Sequence, residues 1–172
     1  VAGATKTDGT LWMWGSGSTG SMGQNSPQNS YSSPIQIPGT TWTGNFTMNN
    51  AWSIAVKSDG TMWGWGNNAG GLLGQNSRTN YSSPVQVPGT TWSTVTNVGD
   101  AVAFATKTDG TLWGWGSQPA TQYSDFLNIS TTGISAPGQT AYSSPVQILG
   151  AWGHSKGQLA AANSGAVFAI KP

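Results

Sequence analysis

The chain has 172 residues, of which only 6% are Asp, Glu, Lys or Arg, against roughly 25% in an ordinary soluble domain. Its six basic residues are dispersed and the formal net charge is +1, which argues against a nucleic-acid or anionic-membrane interface built on clustered positive charge. The absence of cysteine excludes disulfides and thiolate metal sites, and no apolar run approaches the ~20 residues that cross a bilayer.

The first element is a predicted β-hairpin whose sequence recurs along the chain. Its copies begin at Ala4, Ala55 and Ala105, which are spacings of 51 and 50 residues, and a degenerate copy occupies 161–171. Each intact copy holds an Asp-Gly pair, which we interpret as a two-residue type I′ turn with positive φ at both positions. Two Trp residues then alternate along a strand, so both lie on one face. The pairs are Asp8-Gly9, Asp59-Gly60 and Asp109-Gly110.

A second recurring segment follows each hairpin, at residues 31–39, 81–89 and 142–150. It reads Tyr-Ser-Ser-Pro and continues as an apolar–polar–apolar strand. Proline beside so short a strand predicts a position at the edge of a sheet. A Trp and a further strand lead to the next hairpin, so each period holds about four short strands, which is the content of one propeller blade.

The sequence predicts a single repeat domain over residues 1–172, with an insertion at 117–141 whose Gly, Ser, Thr, Pro and Asn content is typical of a loop. Val1 lies just before a hairpin, so we expect the first unit to lack its innermost strand. The fourth unit stops at Pro172, so we expect it to lack its outermost strand, and we expect the chain to be a piece of something longer. The units are about 1–41, 42–91, 92–151 and a truncated 152–172.

These spaced motifs resemble the regulator of chromosome condensation repeat family. The segments that carry the resemblance are Lys-Thr-Asp-Gly-Thr-Leu-Trp-x-Trp-Gly, a Gly-rich turn such as residues 70–76, and Ser-Ser-Pro-Val-Gln-Val. The resemblance implies an all-β fold of propeller blades with four antiparallel strands, usually seven to a closed ring. Three units and a truncated fourth leave the ring incomplete in one chain, so further chain, another copy or a partner is expected to complete it.

The family includes exchange factors for a small GTPase that bind chromatin, secreted enzyme inhibitors, and bacterial surface and phage structural proteins. The present repeats, short and rich in Ser, Thr and Asn, resemble the phage and surface group. The exchange-factor alternative requires acidic and basic patches, which so few charged residues do not provide.

Side chains that titrate are few, and most have a structural explanation. The three Asp-Gly carboxylates belong to turns; calcium binding is the alternative, but each turn offers one carboxylate where the ion needs several oxygens. His154, the only histidine, is expected in a loop or at a strand end, without partners for a triad or a metal site. We therefore predict no catalytic residue, no cofactor, no metal and no enzymatic activity.

Residues outside the repeat pattern are the candidates for partner contact. Repeated Trp residues are most simply core between blades, with carbohydrate stacking as the alternative. Trp52 has no counterpart in the next unit, where Val102 stands, which makes it a candidate. The insertion adds an apolar side that either docks on a partner or packs locally. Its candidates are Tyr123, Phe126, Leu127 and Ile129.

The sequence thus predicts a non-enzymatic structural or binding protein of a virion or an extracellular or cell-surface assembly, such as a tail, fibre or capsid-decorating component. Its expected partner is protein, in a homo-oligomer, a longer chain or an assembly, with no nucleic acid and no membrane insertion. Two alternatives stay open. One is a soluble module that grips a protein, as a secreted inhibitor or exchange-factor relative would. The other is a glycan-cleaving enzyme, which needs two carboxylates about 5–10 Å apart.

Overall fold

The computed structural model describes residues 1–27, 30–98, 102–117, 141–148, 159–161 and 167–169. Regular structure in these ranges is entirely β-strand, arranged in four antiparallel sheets. The described part of the chain has no helix with the length and apolarity of a membrane span.

The sheets follow one another along the chain. The first contains β1 (Ala2–Thr5), β2 (Leu11–Ser16) and β3 (Ser30–Gln36), in the order β1-β2-β3. The second contains β4 (Trp42–Met48), β5 (Trp52–Lys57), β6 (Met62–Gly66) and β7 (Tyr81–Val87), in chain order. The third repeats this with β8 (Trp92–Val98), β9 (Val102–Lys107), β10 (Leu112–Ser117) and β11 (Ala141–Ile148). The fourth pairs β12 (Leu159–Ala161) with β13 (Val167–Ala169).

This architecture confirms the predicted all-β fold of four-stranded antiparallel blades in an unclosed ring. The repeated hairpins form the central pairs β5–β6 and β9–β10, and β1–β2 in the first sheet. The proline-containing segments form β3, β7 and β11, each at the edge of its sheet, as the missing proline N–H predicts.

Each of the first three sheets has a tryptophan face and an aliphatic face, and the tryptophan face of one sheet meets the aliphatic face of the sheet before it. Ala55 and Trp65 of the second sheet pack against Leu11 and Met13 of the first. The opposite face of the second sheet packs against Trp115 of the third. Residues of that aliphatic face are Ile54, Val56, Met62 and Val87. The prediction that the repeated Trp residues form the core between blades is therefore confirmed for Trp65 and Trp115, both 0% exposed.

A bulge interrupts the ladder next to the second Trp of each hairpin. The register between β6 and β7 shifts between Gly64 and Gly66, and Gly66 has a φ of 103°. Equivalent shifts end at Gly15 and Gly116, which also have positive φ. At each shift two steps along the hairpin strand oppose four along the edge strand, so the extra residues lie in β3, β7 and β11, opposite the glycine. Such irregularities increase the local twist of a strand.

Candidate functional site

Each Asp-Gly hairpin closes with a three-residue loop, so the predicted two-residue type I′ turn is wrong. Lys6 N–H donates to Thr10 C=O at 2.8 Å, and Gly9 N–H donates to Lys6 C=O at 3.0 Å. Gly9 has a φ of 80°, whereas Asp8 is not among the residues with positive φ. This is a type I turn followed by a left-handed glycine, the other common hairpin connection. The second and third hairpins repeat both bonds.

The Asp carboxylate of each hairpin anchors a hydrogen-bond chain that ends on an indole. Asp59 Oδ1 accepts from Thr61 N–H at 2.9 Å and from Thr61 Oγ1 at 2.6 Å. Thr61 Oγ1 in turn accepts from Trp63 Nε1 at 2.9 Å. The same chain recurs around Asp8 and Asp109. Sequence reasoning explained the Asp by the turn alone and missed this role, although the constant Asp-Gly-Thr-x-Trp spacing signals it.

These hydrogen bonds give the stability of the fold a pH dependence that can be measured. Donation from the Thr hydroxyl, and then from the Thr N–H, lowers the pKa of Asp8, Asp59 and Asp109 below the ordinary value of 3.8. A lowered folded-state pKa means that the unfolded chain binds protons first, so the contribution is present above pH 3.8 and is lost as pH falls through the folded pKa.

We therefore expect the thermal midpoint followed by circular dichroism to hold steady in the mildly acidic range and to drop below pH 3.8. A triple variant with Asp8→Asn, Asp59→Asn and Asp109→Asn should show a shallower drop. Identical acid profiles for the two proteins would contradict this assignment.

The lysine of each hairpin lies against indole rings. Lys57 Nζ is 4.7 Å from the ring centre of Trp42 and 4.6 Å from that of Trp63. Since Trp42 begins β4 and is paired with Lys57 of β5, the ammonium joins the innermost strand to the hairpin. In the third sheet Lys107 lies between Trp92 and Trp113 at 4.7 and 4.5 Å. In the first sheet Lys6 Nζ is 4.1 Å from the centre of Trp12, and no second indole of the described residues faces it.

Removing the ammonium should therefore affect the sheets unequally. Cation–π contacts contribute about 0.5–2 kcal/mol each, more where they are shielded from water. We expect Lys57→Met to lower the free energy of unfolding by about 1–2 kcal/mol, and Lys6→Met by less than about half of that, because Lys6 is exposed and contacts one ring. Urea titrations followed by tryptophan fluorescence measure both. Equal losses would show that the second ring contributes nothing.

The segment before each innermost strand links successive hairpins. Trp42 N–H donates to Gly9 C=O at 2.8 Å, and Thr41 C=O accepts from Ser58 N–H at 2.8 Å. Thr41 has a φ of 67°, an uncommon conformation for a β-branched residue. The equivalent bonds in the next sheet are Trp92 to Gly60 and Thr108 to Thr91, and Thr91 also has a φ of 67°. One main-chain segment thus bonds to hairpins of two sheets.

The Gly-rich turns form clasps that reach across to the following sheet. We call residues 20–25 the first clasp and residues 71–76 the second clasp. In the first clasp Asn25 N–H donates to Ser82 C=O at 2.8 Å, and Ser21 C=O accepts from Trp65 Nε1 at 2.8 Å. In the second clasp the equivalent pairs are Asn76 with Ser143 and Leu72 with Trp115, both at 2.7 Å.

A glycine allows each clasp to lie directly on the neighbouring backbone. Gly20 has a φ of 89°, and a Cβ there would lie 2.6 Å from Ser82 Cα. Gly71 has a φ of 75°, and a Cβ there would lie 2.7 Å from Ser143 Cα. The sequence motif was visible in both units, but its role as an inter-sheet contact was not predicted.

A small polar cleft of about 200 Å³ lies beside the first clasp. Thr19 and Pro27 line it from one side, and Asn80 and Ser82 from the second unit. None of these residues is charged, so the lining supplies no group for acid–base chemistry. In the described ranges, no three His, Cys, Asp or Glu side chains lie close enough together to hold a metal ion.

The candidate contact residue Trp52 lies inside the molecule. Its side chain is 1% exposed and belongs to the core between the second and third sheets, so the ring offers no free surface there. Its Nε1 is buried without a hydrogen-bond partner among the described residues, as are those of Trp42 and Trp92. The other candidates, together with His154, lie outside the described residues. They are Tyr123, Phe126, Leu127 and Ile129.

The open edge of the first sheet is the feature that distinguishes it from the second and third. β1 pairs with β2, and its other side pairs with no described strand, whereas β5 and β9 are covered on that side by β4 and β8. Lys6 N–H points to β2, so alternation directs the N–H and C=O of Thr5 and Gly3 to the open side. We call this side, with Lys6 and Thr7, the open edge.

One segment, from the turn of the second hairpin through β6, β7 and β8, matches a known repeat family. Residues 59–100 match the family model of the Regulator of chromosome condensation (RCC1) repeat. The predicted RCC1 resemblance is confirmed for this segment. No curated protein sequence matches the chain.

Solved structures extend the likeness of the fold beyond that one RCC1 repeat. Prp20p from Saccharomyces cerevisiae, whose structure was described with its binding to Gsp1p and histones, matches with a TM-score of 0.66 and 18% identity, over 98% of this chain and 42% of that chain. Yeast RCC1 (Prp20) bound to Kap60 matches with a TM-score of 0.64 and 16% identity, over 84% and 32%. Human WBSCR16 matches with a TM-score of 0.64 and 18% identity, over 84% and 34%.

At these identities the likeness shows the fold alone. The chain spans 32–42% of the length of the three propeller chains that it matches. The resemblance to phage and bacterial surface proteins stays a prediction.

Proposed function

We propose that the chain is a non-enzymatic structural or binding component of a virion or extracellular assembly, such as a tail, fibre or capsid-decorating protein. The observation that carries the proposal is the use of the recurring charged and aromatic side chains in the scaffold. The Asp of each hairpin is bonded to its own Thr, and the Lys of each hairpin lies on indole rings. Groups held in this way in every repeat stabilise hairpins and are not arranged around a substrate.

The packing of the sheets supports an assembly role. The tryptophan face of one sheet packs on the aliphatic face of the preceding sheet, and a clasp crosses each of these two interfaces. Such a contact joins two different surfaces, so it can be continued by any further blade with the same pair of faces. Repeat scaffolds of this kind suit large structural assemblies.

The amino-acid composition of the chain supports a virion or extracellular location. With 6% charged residues and 25 glycines, the chain has a surface built on Ser, Thr, Asn and Gly. An exchange factor would need charged patches for its protein and chromatin contacts, and six of the eleven charged residues here are engaged in hairpins. We therefore favour a virion or extracellular setting over the role of a Prp20 relative in exchange.

Solution mass tests the proposal. We expect native mass spectrometry and light scattering to find the chain in complexes heavier than 17.7 kDa, with itself or with structural proteins of its particle. Purified particles or cell-surface fractions should contain the chain in fixed stoichiometry. A stable monomer of 17.7 kDa that never co-purifies with such a fraction would contradict the proposal.

A soluble protein-binding module is the second candidate. The fold shared with Prp20, which is known bound to Kap60 and binds Gsp1p and histones, favours it. It predicts capture of one stoichiometric soluble partner through the insertion, and loss of that capture when Tyr123, Phe126, Leu127 and Ile129 are replaced by Ser.

A further inference from the structure

We propose that the polar cleft beside the first clasp binds one neutral sugar ring of a saccharide. A ligand at this place goes beyond the proposed function, because it adds a small-molecule site that exists whether or not the chain assembles with other proteins. The hydrogen-bonding groups that the cleft leaves unused define the chemistry of that ligand.

The wall of the cleft that belongs to the first unit offers a hydrogen-bond acceptor and an apolar surface. Thr19 Oγ1 donates to Ala51 C=O at 3.0 Å, so the only hydrogen of this hydroxyl is engaged and the oxygen can accept a further bond. Pro27 has no N–H, and its C=O already accepts from Gly20 N–H at 2.9 Å, so its ring is the main surface that it can offer. This wall suits a ligand that donates hydrogen bonds and carries C–H groups.

The wall that belongs to the second unit offers hydrogen-bond donors. Asn68 N–H donates to Asn80 Oδ1 at 2.7 Å, which leaves Asn80 Nδ2 with no acceptor among the described residues. Ser82 C=O accepts from Asn25 N–H at 2.8 Å, while the Ser82 hydroxyl has no partner in the described part of the chain. This wall therefore suits a ligand that accepts hydrogen bonds, and both of its residues are already held in position.

The size and neutrality of the cleft indicate a single uncharged ring. Its volume of about 200 Å³ is below the roughly 300–1,000 Å³ of pockets for drug-sized ligands, and none of the described residues that line it is charged. Walls that accept on one side and donate on the other match hydroxyl groups, which do both. A sugar ring carries several hydroxyls on a C–H framework that can lie against Pro27.

This combination of groups is specific to the interface between the first and second sheets. The two clasps make the same main-chain contact, Asn25 to Ser82 and Asn76 to Ser143, which aligns the two interfaces residue by residue. The Thr, Pro and Asn of the cleft are replaced at the second interface by Gly70, Arg78 and Ala141. The scaffold therefore does not require them, and, unlike Trp52, they reach the surface of the molecule.

Nuclear magnetic resonance of the isotope-labelled full chain tests the binding. The probes are D-glucose, D-galactose, D-mannose and N-acetyl-D-glucosamine, each titrated at constant pH and ionic strength. At least one should shift the backbone amide signals around Thr19 and Ser82 in a saturable way, with a dissociation constant on the order of 1 mM, as suits one small ring. Glycerol, which carries hydroxyls without a ring, should leave these signals unchanged at the same concentrations.

Two matched serine variants locate the binding in the cleft. Ser82→Ala removes the free hydroxyl and keeps the C=O that accepts from Asn25, so the clasp should stay closed. The affinity for the best of the four sugars should fall about three- to tenfold, which corresponds to the loss of one hydrogen bond. Ser143→Ala makes the same change at the corresponding place of the second clasp and should bind like the unmodified chain.

Asn80→Asp tests the opposite end of the same wall. The substitution keeps an oxygen for Asn68 N–H and removes the amide donors, so it should also weaken binding about three- to tenfold while the fold persists.

The inference is wrong if none of the four sugars shifts these signals, if glycerol shifts them equally, or if Ser82→Ala and Ser143→Ala bind with equal affinity. Tighter binding of D-glucuronate than of every neutral sugar would contradict the assigned class of ligand. A chain that enters heavy assemblies yet binds no sugar would remove this inference and leave the proposed function intact. A monomeric chain that binds a sugar in the cleft would remove the proposed function alone.

Discussion

Replacing Gly66 with Ala is expected to lower the free energy of unfolding by about 3–5 kcal/mol, a loss in the range of the most damaging single substitutions. Gly66 has a φ of 103°, which an L-residue with a side chain rarely adopts. A Cβ at this position would lie 2.4 Å from Ala51 O and 2.6 Å from Trp52 Cα. Both are backbone atoms, so no rotamer change can relieve the overlap, and the pairing of Gly66 with Trp52 at the start of β5 must open.

Gly44→Ala is the matched control for this substitution. Gly44 lies in β4, is exposed, and is not among the residues with positive φ. The nearest atom to a Cβ there is Thr5 Oγ1, at 3.9 Å. We expect a change within about 0.5 kcal/mol. Urea unfolding followed by tryptophan fluorescence compares the two variants with the unmodified chain. If both unfold at the same midpoint, the position does not require glycine and the steric argument is wrong.

Much of the fold could be predicted because its signals are local and repeated. Alternation around Trp63 and Trp65 identifies a strand, and Pro84 identifies an edge, since each follows from the backbone of a few neighbouring residues. The turn type was predicted wrongly because Asp-Gly suits two hairpin connections. What distinguishes them here is Thr61, which lies outside the predicted turn and donates both its N–H and its hydroxyl to Asp59.

Contacts between sheets could not be predicted from the same patterns. Asn25 N–H donates to Ser82 C=O, 57 positions later in the sequence, and no local sequence pattern around either residue predicts this contact. Trp52 differs from its counterpart in the next unit, Val102, but both side chains are buried, so the two residues fill core spaces of different volume. A unique residue in a repeat protein can fill a unique space inside it, so uniqueness alone does not indicate a binding surface.

Trp65→Ala is expected to lower the free energy of unfolding by about 3–5 kcal/mol, as large-to-small changes of buried aromatic residues do. Trp65 is 0% exposed, and its ring meets that of Trp42 edge to face at a centroid distance of 6.0 Å and an angle of 61°. Its Nε1 also donates to Ser21 C=O of the first clasp at 2.8 Å. The substitution leaves a cavity between two sheets and removes one of the hydrogen bonds that hold the clasp.

Trp14 provides the comparison, because it occupies the same place in the first hairpin and is only half-buried. Trp14→Ala should lower stability by about 1 kcal/mol, since less apolar surface is withdrawn from water. Trp65→Phe separates the two contributions at Trp65, because it keeps most of the ring and removes the indole N–H. Ser21 C=O then keeps only the Ser53 hydroxyl, at 3.2 Å, as a donor, so we expect a loss of about 0.5–1.5 kcal/mol. Equal losses at Trp65 and Trp14 would place the stabilisation within each hairpin. A loss confined to Trp65 would show that the stabilisation comes from packing between the first and second sheets, where this Trp is buried.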